Sequence, residues 1–526
     1  MKLKSKIIYL TVAIAGLLAS CSDTFLDRPP LSNISSGNFY QTSEDLRLAT
    51  AALYAGAQWG SLSYFSFLQI GEVMSGNMIL GYNDDAVQIN NFAVTGLNSA
   101  VITYWRSMYA VIQHCNITIN AITEKAPNTI SAEEINGAIA EAKFIRGYAY
   151  LNLAVLWGDV PIIEDLNDLI NDPLKERNIA DDVYQFVVND LTYATKYLPV
   201  SDEKGRVTTW SAQGLLAKTY LTWSGLNSIS GGQRNEALLD SAKLYAGNVC
   251  HDSGLELMDS YEDVFKYEFT DDEEILFSLQ WSPVDQGWLN GNMLQLFSSA
   301  GFSINGVTPW FGIRPTYDMY LQYSEADSVR RKATFMYKGD HYAELNQEKG
   351  GVDYTGDAGL KKHIVGNEKD VNAPTMGVFS SAEHTPLLRL SDVYLVYAEA
   401  ILGNNGSTSD AEALLYFNKV HKRAGLEAVT EINDDAMLRE RRIELAAESQ
   451  YWMDLVRLSY YNPTKAIGLL NGGERVIFTL NDAGVAEPQD AYGIITPANI
   501  NTFKLPIPSD EITADPKLLD EPVPYF

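Results

Sequence analysis

The sequence predicts an all-α protein, a helical body interrupted by one long irregular insertion and closed by an irregular tail. Three observations carry this. Capped segments with helical apolar spacing follow one another from residue 42 to about residue 250. Residues 259–384 then crowd glycine, asparagine and aromatic rings together, as in WSPVDQGWLNGNM and INGVTPWFGIRP. Helical spacing returns over 390–403, 409–424 and 435–458, before a Gly- and Pro-rich end from about residue 462.

The elements follow in order. Thr42 caps a first helix through Tyr54, with Glu44 and Asp45 near its positive end. A second spans 103–124. Ser131-Ala-Glu-Glu134 is a capping box opening a helix to about Trp157, where Gly158 and Pro161 stop it. Further helices are predicted at 180–198, 208–224 and 235–250. EAKFIRGYAYLNLA and SAQGLLAKTYLTWS each place a small residue three before a tyrosine, Gly147 with Tyr150 and Ala217 with Tyr220. Their offset of about 70 residues is close to two tetratricopeptide periods of about 34.

The N-terminus reads as an export signal. Lys2, Lys4 and Lys6 precede an apolar run from Ile7 to Ala19, which is shorter than the roughly 20 residues a membrane span needs. Leu18-Ala19-Ser20-Cys21 resembles a lipobox, so cleavage before Cys21 and lipidation of its thiol are expected. The organisation is then 1–20 signal peptide, 21–40 tether and 41–258 first part of the helical body. A loop-rich subdomain at 259–384, returning helices at 385–460 and an irregular C-terminal segment at 461–526 complete it.

A formal charge of −28 sets nucleic acid aside as a partner, because phosphates are repelled. Cys115 and Cys250 remain once Cys21 is assigned; they could pair in an oxidising compartment, although Cys115 sits in a helical stretch that suits a buried free thiol. No CxxC, HExxH, GxSxG or phosphate-cradling loop occurs, and the six histidines are scattered, so no catalytic residue and no metal site are assigned. Glu440, Glu444 and Glu448 are spaced to share one face of the 438–458 helix. Like charges so placed repel. Arg439, Arg441 and Arg442 beside them, and Asp454 with Arg457, point to a structural ion network.

Aromatic residues make up 11% of the chain, and two regions combine them with Asn and Asp. Sugar rings pack flat C–H faces on aromatic rings, at about 25 cal/mol per Å² of apolar area, while amides and carboxylates meet the hydroxyls. Met78 to Phe92 supplies Tyr82, Asn83, Asp84 and Phe92. Trp281 to Phe311 supplies Trp288, Asn290, Asn292 and Trp310. These eight are the candidate ligand-binding residues. Each ring could equally serve the insertion's own core, with Trp288 between Gly287 and Gly291 the more exposed and Trp310 after Pro309 the more buried.

Several stretches together resemble the SusD/RagB family of outer-membrane lipoproteins over nearly the whole mature chain. They are FLDRPP with NFYQTSEDLRLATAALYAG, EAKFIRGYAYLNLAVLWGDVPII, GRVTTWSAQGLLAKTYL, LLRLSDVYLVYAEAILGNNG with LLYFNKVHKRAGL, LRERRIELAAESQYWMDLVRL, and KLPIPSDEI. The chain departs from the family pattern at His421, where an arginine is usual. It departs again at Glu448-Ser-Gln-Tyr-Trp452, where Glu-Gly-x-Arg-Trp is usual, and at its Glu521-Pro-Val-Pro-Tyr525 terminus.

The resemblance implies a right-handed superhelix of four tetratricopeptide-like helix pairs with a packed, loop-rich subdomain. It implies a non-enzymatic, lipid-anchored protein on the outer face of the outer membrane, capturing oligosaccharide or polysaccharide for a SusC-like TonB-dependent transporter barrel. It also points to the same two regions for the ligand face. No cofactor is implied; a structural calcium ion among the acidic loops is an open alternative. A peptide-capturing member of the family, a helical scaffold without a small ligand and a glycoside hydrolase are the competing readings.

Overall fold

A computed structural model of the chain describes residues 39–54, 57–63, 65–80, 84–228, 232–267, 273–281, 292–297, 312–364, 381–490, 493 and 495–526. Cys21 lies outside the described residues, as do Tyr82, Asn83, Trp288, Asn290 and Trp310. Eleven helices carry the architecture: α1 Ser43–Ala51, α2 Asp84–Asn90, α3 Ser99–Lys125, α4 Ala132–Trp157, α5 Ala180–Tyr197, α6 Thr209–Trp223, α7 Glu236–Asp252, α8 Leu390–Leu402, α9 Ala411–Arg423, α10 Asp434–Glu444 and α11 Gln450–Tyr461. From α3 to α9 each helix packs chiefly on its neighbours in the chain, and α8 continues the stack from α7 across the whole insertion. This is a tetratricopeptide-like helical fold, in which each helix pair buries its apolar face against the next.

Local chemistry sets the helix ends. Glu134 N–H donates to Ser131 Oγ at 3.2 Å while Ser131 N–H donates to Glu134 Oε2 at 3.1 Å, the capping box that opens α4. Thr42 and Asp45 form the same device at α1. Gly158, at φ 78°, ends α4. Within α4, Gly147 faces α5; a Cβ there would sit 3.2 Å from the Leu191 side chain, so the small residue sets the helix separation. Beside it Arg146 donates two hydrogen bonds to Asp190 at 2.7 and 2.8 Å, closing a buried pair between α4 and α5.

The helix expected to run unbroken over 435–458 is two helices. α10 ends at Glu444, and α11 begins at Gln450 after a corner in which Ala447 and Ser449 take left-handed φ values of 67° and 59°. Glu440 and Glu444 share a helical face as predicted, while Glu448 lies in the corner. The three carboxylates do form a buried ion network, but its cations come from distant segments. Arg330 binds Glu440, Arg389 binds Glu444 and Glu448, Arg423 binds Glu444 and Lys362 binds Glu448. His421, which stands where the family pattern has arginine, places Nδ1 2.8 Å from Glu440. The adjacent arginines point elsewhere: Arg441 to Asp392 and Asp454, Arg442 to Asn77 and Asp318, and Arg439 to the Gln322 carbonyl. Cys115 and Cys250 are both free thiols, Cys115 buried in α3.

Candidate functional site

Two short ladders organise the regions singled out by composition. Strand β1 (Met78–Ile79) pairs antiparallel with β3 (Arg314–Pro315), Met78 opposite Pro315 and Ile79 opposite Arg314. Strand β2 (Ile275–Leu279) pairs with β4 (Thr385–Arg389). Since β1 and β3 run in opposite directions, the chain leaving β1 towards Tyr82 and Asn83 starts from the same end of the ladder at which the chain from Trp310 arrives at β3. The two aromatic-rich segments, far apart in sequence, are therefore joined at their roots.

The second ladder does the same for Trp288 and Asn290. Their segment departs after Trp281 and returns at Asn292, and both ends are tied to Thr385. Trp281 Nε1–H donates to Thr385 Oγ1 at 2.9 Å, and Asn292 Nδ2 to the same oxygen at 3.4 Å. Asn292 also donates to the Glu383 carbonyl at 2.9 Å, accepts from Leu294 N–H at 2.8 Å and bridges Ser381 through its backbone. At 1% exposure its amide is turned into the protein. The expectation that Asn292 faces ligand is thereby redirected: its side chain holds the end of the segment.

Of the other described candidates, Asp84 is exposed at the start of α2 and Phe92 is half-buried just past its end. Ala93 N–H bonds the Gln88 carbonyl at 2.9 Å and Phe92 N–H the Ile89 carbonyl at 3.3 Å, the Schellman pattern that closes a helix. Its left-handed residue is normally glycine. Here it is Phe92, at φ 55°, a strain of about 1–3 kcal/mol that persists only where neighbours hold it. One neighbour is the apolar core, against which the ring packs, and another is Arg475, whose guanidinium lies 4.3 Å from the centre of the Phe92 ring.

A chain of polar contacts behind β1 connects this face to the helical body. Asn77 donates to Glu72 at 2.8 Å and accepts from Arg442 Nε at 2.7 Å. Thr316, which follows β3, donates its hydroxyl to the Gly76 carbonyl at 2.6 Å and its N–H to the Asn77 carbonyl at 3.0 Å. Glu72 accepts the Ser449 N–H at 2.7 Å, reaching the corner between α10 and α11. Burial pushes the Glu72 carboxyl above its usual range. Sequence reasoning singled out none of Asn77, Thr316, Thr385, Arg442 or Arg475 for this region, and only the pairing of distant segments reveals them.

Burial raises the Glu383 carboxyl well above its usual range and lowers His384 to about 3 and His363 to about 4, leaving neutral groups in the protein interior. Among the described residues no cluster of three or more His, Cys, Asp or Glu is placed to hold a metal, and no helix is long and apolar enough to cross a membrane. A cavity of about 380 Å³ lies elsewhere, between α1, α4 and the end of α5; in its lining Arg47 pairs with Asp202 and Glu141 with Arg206.

A family model described as the SusD family matches residues 282–523, and one described as starch-binding associating with outer membrane matches residues 25–221. A SusD-like protein of Bacteroides ovatus is 37% identical, over 99% of this chain and 98% of that one. This chain belongs to the SusD family. A solved structure of a family relative with a xylogluco-oligosaccharide is 36% identical and superposes with TM-score 0.83, covering 91% of this chain and 99% of the other. A SusD superfamily protein from Parabacteroides distasonis, 20% identical with TM-score 0.72 over 92% of this chain and 99% of its own, shares the fold. The family pattern's glycine after Glu448 is Ser449 in this member. Its hydroxyl donates to the Phe67 carbonyl at 2.7 Å, which with the Glu72 contact holds a serine in the left-handed conformation glycine would take freely.

Proposed function

We propose that this chain is a non-enzymatic glycan-binding protein whose ligand face is formed by the segments that carry Tyr82, Asn83, Trp288, Asn290 and Trp310, with Asp84 and Phe92 at its edge. The observation that carries the reading is the β1–β3 ladder, which roots two aromatic- and amide-rich segments side by side. The 36%-identical relative solved with a xylogluco-oligosaccharide supports a glycan as the ligand class. A face of rings packs on sugar C–H surfaces by apolar burial and needs neither a deep cavity nor ionised catalytic groups.

A weak site is sufficient for this task. A millimolar constant corresponds to about 4 kcal/mol, and a polysaccharide with many repeats met by many anchored copies gains from effective concentration. Lipidation at Cys21 would hold the protein at the outer membrane, and the captured glycan would pass to a SusC-like TonB-dependent barrel.

Calorimetry and affinity gels over a glycan panel that includes xyloglucan oligosaccharides test the reading. Saturable binding that weakens in Trp288→Ala is expected, with no reducing ends released over time. Absence of binding across the panel would contradict it. Palmitate labelling should vanish in Cys21→Ala, and gently solubilised protein should co-purify with a large barrel.

A further inference from the structure

Arg475 comes from the C-terminal irregular segment and is 2% exposed, yet it makes no ion pair with a carboxylate among the described residues. A buried guanidinium without a carboxylate is an expensive way to fill space. Two of its nitrogens donate to backbone instead, Nη2 to the Val73 carbonyl at 2.8 Å and Nη1 to the Met74 carbonyl at 3.0 Å, while Nε is buried without a hydrogen-bond partner among the described residues. These carbonyls stand at the C-terminal end of the helical turn Gln69–Val73, where the helix dipole favours a cation, and the Val73 carbonyl also accepts the Gly76 N–H at 3.1 Å. Its plane covers the Phe92 ring.

Val73 and Met74 stand just before β1, and Phe92 just after α2. One side chain therefore grips both ends of the segment that carries Tyr82, Asn83 and Asp84. Gly76 records how close the grip is: it has φ +83°, and a Cβ there would lie 2.9 Å from Arg475 Nη1. Burial pushes the guanidinium down to about 9, with Asp318 pulling the other way and Arg442 adding to the push, so it stays charged at neutral pH.

We propose that Arg475 is a positioning residue for ligand capture, a staple that fixes the Met74 and Phe92 ends of the 78–92 segment without itself touching ligand. The inference rests on the glycan-binding reading above. In Arg475→Gln, affinity for a xyloglucan oligosaccharide should fall about tenfold. Amide exchange at Phe92 and Ala93 should rise by a similar factor while α4 amides stay protected. Arg475→Lys, which keeps the charge but not the two-pronged grip, should lie between, and it carries the test if Arg475→Gln folds poorly. Phe92→Gly combined with Arg475→Gln should bind no more weakly than Phe92→Gly alone.

Wild-type affinity in Arg475→Gln would overturn the proposal, as would a loss of protection spread evenly over the chain. If the unaltered protein binds no oligosaccharide, the glycan reading falls, and exchange alone then decides: faster exchange confined to Phe92 and Ala93 supports the staple, and unchanged exchange overturns it.

Discussion

Ser449 and Phe92 hold nearly the same left-handed backbone, at φ 59° and 55°, in two very different settings. Around Ser449 the groups are pinned by hydrogen bonds: its N–H to Glu72, its hydroxyl to Phe67, and the preceding Glu448 to Arg389 and Lys362. Phe92 is half-buried and is held by packing against the apolar core, one ring–guanidinium contact and two helix-closing bonds. The first corner is overdetermined by polar contacts and belongs to the fold. The second rests on apolar packing and one guanidinium in place of such a polar network, and ends the segment proposed to carry ligand-binding residues. The same left-handed backbone thus closes a corner of the fold in one place and, in the other, ends the segment proposed to carry the ligand face.

The largest test of that contrast is Arg389→Met. Arg389 meets Glu274, Glu444 and Glu448 in the interior, and its removal leaves buried carboxylates short of a cation. A loss of about 3–5 kcal/mol is expected in chemical denaturation; a loss under about 1 kcal/mol would show that the corner does not depend on the network. Ser449→Val should cost about 2–3 kcal/mol, because a β-branched residue resists positive φ and the Phe67 carbonyl loses its donor.

Acid provides a graded version. Burial alone would raise the Glu399 carboxyl, but Arg457 and then Arg234 outweigh it and hold it at about 2; Glu444 is held at about 2 in the same way by Arg423, Arg389 and Arg330. Both folded values lie below the unfolded 4.5, so their stabilisation is present above about pH 4.5 and is lost as pH falls towards 2. Melting temperature measured across that window should drop steadily, and Glu399→Gln should flatten part of the slope. Phe92→Gly has the smallest expected effect on stability, within about 1 kcal/mol, since relief of strain offsets the lost ring contact. Its glycan affinity should nonetheless fall, which would separate the two corners cleanly.

Much of the helical body is legible in the sequence because its signals are local. The capping box at Ser131, the stop at Gly158 and the spacing over 180–198 need no tertiary knowledge. The break at 445–449 is not legible: no glycine or proline marks it, and the Glu72 that receives Ser449 N–H is 377 residues away. The same holds at the site. Composition singles out Met78–Phe92 and Trp281–Phe311, but the two-residue strands β1 and β3 that join them carry no alternation to read. Arg475, in GGERVIF, reads as part of a tail until its donors are seen reaching Val73 and Met74.

Glycan binding by the two rooted aromatic segments, as proposed, can be measured by calorimetric titration with a xyloglucan oligosaccharide. The expected result is saturable binding by the unaltered protein, weakened at least about tenfold in Tyr82→Ala combined with Trp288→Ala, with an unchanged melting temperature. Equal binding by that double variant would contradict the assignment of the face.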